Sequence, residues 1–290
     1  MRKFIYFAIA SFFLVISFAF FNVNQPTSAK VSDYVQYMAE AHKGDRPIPT
    51  GIITQSSDIE VVGEMVEYAN LDGEMVSGYI SRPAGVEEPL PGVILIHEWW
   101  GLNDNIKAMT DKMAAEGYVA LAVDLYKGDS ADNPDDAMEL VQRAIASSSE
   151  LEDNLKQAYD YLKNQANAPK IASMGWCFGG LWSLNTALLL PTELDAVVIY
   201  YGGNITTDPE KLATLEMPIL GIFGELDQNP SVELVREFEQ VLQSLDKDVE
   251  IHIYENADHA FSNSSGTRYN PEAAEDAWEK TTEFLARHLQ

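Results

Sequence analysis

Cys177 is the only cysteine in a chain of 290 residues. It sits at the centre of Gly175-Trp176-Cys177-Phe178-Gly179-Gly180. A short apolar run, 171–174, precedes this stretch, and a helix-like run, 181–190, follows it. Strand, glycine, reactive atom, glycine, helix is the layout of a nucleophile elbow, here with sulfur where most elbows carry a serine hydroxyl. Such a turn strains its central residue and projects the side chain clear of the sheet, and the flanking glycines leave room for close neighbours. A sulfur nucleophile needs a base to hold or take its proton, and the base needs a carboxylate to fix its tautomer. His259 and Asp227 are of the right types. His259 would keep Cys177 as a thiolate or accept its proton, so the thiol is expected to titrate below an ordinary cysteine's value of about 8.5. Each residue also has a plainer reading: a buried structural cysteine, a turn-forming or helix-capping aspartate, a solvated loop histidine.

The elements that must position these groups decide between the readings. Apolar runs at 93–97, 118–125, 196–201 and 218–223 read as strands buried on both faces, and 249–254 as a further strand. Helical spacing marks 103–116, 134–146, 151–164, 232–245 and 272–288. An antiparallel hairpin, 59–68 with 74–81, precedes them around the turn Leu71-Asp72-Gly73. Strands alternating with helices after a hairpin indicate an α/β fold, a doubly wound and mostly parallel sheet with helices on both faces. In such sheets functional groups gather at the carboxyl ends of the strands. Cys177, Asp227 and His259 each follow such an end, in the order nucleophile, acid, base that belongs to α/β-hydrolases. The other histidines compete poorly. His42 precedes the regular fold, His252 lies within a strand, His288 lies in the last helix, and His97 shapes the loop that begins at Glu98.

Composition narrows the classes further. Apolar residues make up 46% of the chain, enough for a full core, and the formal charge is −26. Nucleic acid or an anionic membrane would bind against that field, so neither is expected as a partner. No cluster has metal-ligand spacing and there is no phosphate-binding glycine loop, so no metal or cofactor is expected. Arg2 and Lys3, the uncharged apolar run 4–21 and Thr27-Ser28-Ala29 have the form of an export signal cut near Ala29. That divides the chain into a signal at 1–29, an arm at 30–56 with a short helix at 34–41, and a domain at 57–290. A periplasmic or extracellular location follows; an uncleaved membrane anchor is the alternative, since the run approaches spanning length. No oligomeric state is implied.

Several stretches together resemble the dienelactone hydrolase family: Gly175-Trp176-Cys177-Phe178-Gly179-Gly180, the loop His97-Glu98-Trp99-Trp100-Gly101-Leu102-Asn103, Asp124-Leu125-Tyr126, Asp227, and His259-Ala260-Phe261. The resemblance covers roughly 57–290. It implies an α/β-hydrolase fold without a cofactor, acting on a small-molecule ester or lactone through the cysteine. It also implies an oxyanion hole from the backbone N–H groups of Phe178 and Trp99. In that family the glutamate matching Glu98 contacts the resting cysteine and helps to generate the thiolate. Read alone, Glu98 is equally a helix-proximal cap or a salt-bridge partner.

The chain departs from the family at one place. Members that process dienelactone hold its carboxylate with two arginines, and Gly128 and Asn263 occupy those positions here. Lys127 and Arg268 lie nearby and could supply a cation. Trp100 and Tyr126, with Trp99, are expected to line the entrance and favour an apolar group, unless they only pack under the loops. The expected substrate is therefore a neutral or weakly anionic ester or lactone and not dienelactone itself. Two other classes fit the same residues, a thiol redox sensor and a catalytically idle binding protein on this fold.

Overall fold

The computed structural model describes residues 36, 40, 42 and 59–290. The expected signal at 1–29 and nearly all of the arm at 30–56 lie outside the described residues. Of the helix expected at 34–41, Gln36 and Glu40 are described and are helical.

The hairpin forms where alternation and turn chemistry placed it. β1 (Val61–Leu71) pairs antiparallel with β2 (Glu74–Pro83). Asp72 and Gly73 turn the chain with φ of 51° and 93°, the left-handed conformations that a tight hairpin turn requires. The next five strands are β3 (Gly92–Ile96), β4 (Val119–Val123), β5 (Ile171–Trp176), β6 (Ala196–Tyr200) and β7 (Ile219–Gly224). Every residue in them is buried. Unbroken apolar runs are what a strand covered on both faces requires. β8 (Val249–Tyr254), at the sheet edge, is only partly buried throughout.

The eight strands form one sheet in the order β1-β2-β4-β3-β5-β6-β7-β8. β2 meets β4 antiparallel, and all pairs from β4 to β8 are parallel. Strand order reverses between β3 and β5, the place in a doubly wound sheet where the loops leaving the carboxyl ends of the strands diverge.

Helices α1 (Asp104–Ala115), α2 (Pro134–Ala146), α3 (Ser148–Asn164), α4 (Phe178–Leu189), α5 (Pro209–Leu212), α6 (Val232–Ser244) and α7 (Pro271–Leu289) cover the sheet. α6 buries the stripe Val235, Phe238 and Leu242. Ser231 caps it by accepting from the Leu234 N–H, as Asn103 caps α1 from Ile106 and Asn270 caps α7 from Ala273. Each cap satisfies one of the free N–H groups at a helix start. α5 has four residues, too few to leave a periodic signal in the sequence. α4 starts at Phe178, three residues before the expected 181, because its glycines serve close packing and do not break the helix. Among the described residues no helix is long and apolar enough to cross a membrane.

Candidate active site

Cys177 sits between β5 and α4 with φ 57° and ψ −114°, a conformation that costs a non-glycine residue energy and persists only when its surroundings enforce it. Contacts to the flanking glycines enforce it. A Cβ on Gly175 would lie 2.2 Å from the Gly179 carbonyl oxygen, and one on Gly179 would lie 2.1 Å from that of Ile96. The Cys177 N–H donates to the Tyr200 carbonyl at 3.0 Å, tying the turn to β6. The thiol is fully buried.

Two loops bring the partners to it. The Leu226 N–H donates to the Ala257 carbonyl at 2.9 Å, lacing the loop after β7 to the loop after β8. On those loops the His259 Nε2 lies 3.2 Å from the Cys177 Sγ, and its Nδ1 lies 2.8 Å from the Asp227 Oδ2. The other Asp227 oxygen accepts from the Asn229 N–H at 2.9 Å. All three side chains are buried. The structure thus brings together the three residues singled out in the sequence, each from a different strand end.

Electrostatics set where the proton rests. Burial pushes the Cys177 thiol up; His259 and the Phe178 N–H oppose this, and the Glu98 carboxylate adds to it. The expectation of a depressed thiol is therefore corrected: in the closed pocket, removing a charge from water outweighs the attraction of the histidine. Burial pulls His259 down, but Asp227 and Cys177 pull harder the other way and hold it at about 10. Part of that rise comes from the negative charge of a Cys177 thiolate, so beside a neutral thiol the imidazole holds its proton less strongly.

Glu98 follows β3 and is buried. Its Oε2 accepts from the Asn263 Nδ2 at 2.6 Å, and its charge acts on Cys177. Replacing Glu98 by Gln should bring the thiol down, because the charge opposing the thiolate is gone. Iodoacetamide alkylation of Cys177 at neutral pH should then be faster than in the wild type. An unchanged rate–pH curve would make Glu98 structural only. His97 acts as read from the sequence: its Nδ1–H donates to the Glu98 carbonyl and its Nε2 accepts from the Leu125 N–H.

The residues expected to bind substrate divide. Asn263 holds Glu98, and its own oxygen accepts from the Ser265 N–H at 2.9 Å. The Arg268 Nη2 lies 3.2 Å from the His42 Nδ1. Lys127 is not in the site. It pairs with Glu150 and Glu74 on the rim of a separate cavity of about 450 Å³, because φ 56° at that residue turns it toward α3 and β2. Gly128, at φ 95°, donates its N–H to Asp124 and needs that conformation to do so. Trp100 and Tyr126 are buried and pack under the loops, Trp100 against Trp99 and Tyr126 against His97 and Phe178.

His42, set aside on the sequence because it precedes the fold, is in the site. It is buried, its Nε2 lies 3.7 Å from the Cys177 Sγ, and its ring lies 4.7 Å from that of Trp99. No strand end, turn or periodicity marks position 42. Donor atoms of His42, Cys177 and His259 all lie within 4.8 Å of one another, the only such grouping among the described residues.

The model of the dienelactone hydrolase family matches residues 76–289. The chain belongs to the dienelactone hydrolase family. A relative from Aquifex pyrophilus, the protein called usf, is 35% identical over 79% of this chain and 100% of its own. Another, from Aquifex aeolicus, provisionally named a carboxymethylenebutenolidase, is 33% identical over 79% of this chain and all of its own. The crystal structure of a dienelactone hydrolase-like promiscuous phosphotriesterase from metagenomic libraries superposes with a TM-score of 0.71. It is 22% identical and covers 79% of this chain and 99% of its own. This member of the dienelactone hydrolase family is thus an α/β-hydrolase-fold enzyme, a hydrolase with a small-molecule substrate.

Proposed function

We propose that the enzyme hydrolyses carboxylic esters or lactones, with Cys177 as nucleophile. The observation that carries this reading is the buried relay Cys177–His259–Asp227, with contacts of 3.2 and 2.8 Å. The His259 Nε2 takes the thiol proton as the sulfur bonds to the carbonyl carbon. The carbonyl π pair moves onto oxygen, where the backbone N–H groups of Phe178 and Trp99 stabilise it. Phe178 opens α4, so its N–H has no partner within the helix. The C–O bond then breaks and the leaving oxygen takes the proton from His259. Water, deprotonated by His259, attacks the thioester and releases the acid, and the thiol regains its proton. Glu98 holds the resting thiol protonated and so protects it from oxidation until substrate enters.

Hydrolysis of a simple aryl ester tests the proposal. It should be abolished by Cys177→Ala and by His259→Ala alike. Activity surviving in either variant would sink the mechanism. Absence of activity in the wild type against a broad ester and lactone panel would favour a thiol sensor or an idle binding protein.

The substrate is read as neutral or weakly anionic, and not dienelactone itself. Gly128 and Asn263 replace the arginine pair, Lys127 is committed to Glu150 and Glu74, and the net charge repels anions. One lost charge-assisted contact of about 1.5–3 kcal/mol corresponds to roughly ten- to a hundredfold in kcat/KM. In a matched pair of esters differing only in a carboxylate, the neutral member should be preferred by that factor, more so at low salt. Preference for the anionic member, abolished by Arg268→Ala, would reverse this reading. Export is inferred from the N-terminal sequence alone. The N-terminus of exported protein should begin just after Ala29, whereas a membrane-held chain starting at Met1 would mean an anchor.

A further inference from the structure

We propose that His42 is a further catalytic residue: its Nε2–H donates to the Cys177 sulfur and stabilises the thiolate during attack, with Arg268 as the positioning residue that sets its tautomer. The inference rests on the reading of Cys177 as the nucleophile. It starts from the two nitrogens of one ring. A guanidinium carries five N–H groups and no acceptor. The Arg268 Nη2, 3.2 Å from the His42 Nδ1, can only donate there, so that nitrogen bears the lone pair. The ring proton is then on Nε2, which faces the Cys177 Sγ at 3.7 Å.

His259 is arranged the opposite way. Asp227 accepts a hydrogen bond from its Nδ1–H, and that tautomer leaves the Nε2 lone pair for the thiol proton. The two imidazoles meet edge to face, 5.2 Å apart at 83°, and divide the work. One accepts the proton of the sulfur; the other donates to the sulfur once that proton has gone. The N–H···S contact is long for a resting thiol, and it strengthens on a thiolate because hydrogen bonds to charged acceptors are shorter and stronger. It also counters the Glu98 carboxylate, whose charge opposes the thiolate; among the described residues Tyr126 and Tyr201 are also coupled to the sulfur.

The same three atoms could be imagined around a metal ion. That would need a lone pair on the His42 Nε2, hence a proton on Nδ1 pointing into the guanidinium N–H. Two donors would then face each other at 3.2 Å, with a cation added beside Arg268. The guanidinium therefore favours the donor role.

The experiment follows Cys177 alkylation by iodoacetamide across pH, a readout that does not depend on ester hydrolysis, alongside kcat and KM for an aryl ester. His42→Ala should slow alkylation at neutral pH about ten- to a hundredfold, the span of one charge-assisted hydrogen bond, and lower kcat more than it raises KM. His42→Phe keeps a ring against Trp99 but has no donor and should behave like alanine. His42→Gln keeps a donor and should recover part of the rate. Arg268→Ala should shift the curve in the same direction, less far. Rescue by phenylalanine and not by glutamine would reduce His42 to packing and overturn the proposal. Alkylation in His42→Ala within about twofold of wild type at every pH would do the same. So would stoichiometric Zn²⁺ binding by metal-stripped wild type that His42→Ala abolishes, because it requires the lone pair on Nε2. A shift in alkylation without any ester hydrolysis would uphold His42 and remove the proposed substrate class instead.

Discussion

Asp227→Asn should lower kcat about 10⁴-fold while leaving the protein folded. The reason is which oxygen can stay where. The Asn229 N–H donates to the Asp227 Oδ1 at 2.9 Å and demands an acceptor there. An asparagine would place its amide oxygen in that position and turn its NH2 toward the His259 Nδ1. Two donors cannot share that contact, so the His259 proton moves to Nε2 and faces the thiol, and no lone pair is left to take the proton of the sulfur. The charge that most strongly raises His259 is lost as well. Thermal unfolding close to wild type combined with a kcat loss below about tenfold would show that Asp227 does not orient His259.

Gly179→Ala should destabilise the protein by about 3 kcal/mol or more, the upper end for an overpacked core, and lower Tm by roughly 6–12 °C. The added Cβ would lie 2.1 Å from the Ile96 carbonyl oxygen and 2.6 Å from that of His97. Both are backbone atoms, and Ile96 is held in the middle of the sheet between β4 and β5. The strand cannot give way without displacing His97 and Glu98, so the surviving folded fraction should also lose activity. Gly85→Ala is the control. Gly85 has φ 71° with open space around it, so the change costs only backbone strain of about 1–2 kcal/mol. Calorimetry on the two variants separates close approach from conformation. Equal Tm losses would show that the contact with β3 does not matter.

The features legible in the sequence are those encoded locally. Buried parallel strands need continuous apolar runs, which placed β3 to β7, and the Asp72-Gly73 turn placed the hairpin. The glycines around Cys177 marked the elbow, because only glycine tolerates a backbone oxygen about 2 Å from where a Cβ would be. Strand ends then supplied Asp227 and His259, since chain order in a doubly wound sheet dictates which loops share an edge. The helix itself starts three residues before the run 181–190, because Phe178, Gly179 and Gly180 already belong to it.

What the tertiary structure alone decided concerns contacts between segments with no periodic relation. Lys127 carries a charge suited to a substrate carboxylate, yet φ 56° and the acids on α3 and β2 turn it to another face. Asn263 and Arg268 lie on the loop that follows His259, but one holds Glu98 and the other His42. The direction of the thiol shift depends on complete burial, which no residue type announces. His42 is the extreme case. The sequence determined that a cysteine, a histidine and an aspartate would meet, because their strands fix their places. A second imidazole reaches the sulfur from outside those strands, and only the three-dimensional path of the chain brings it there.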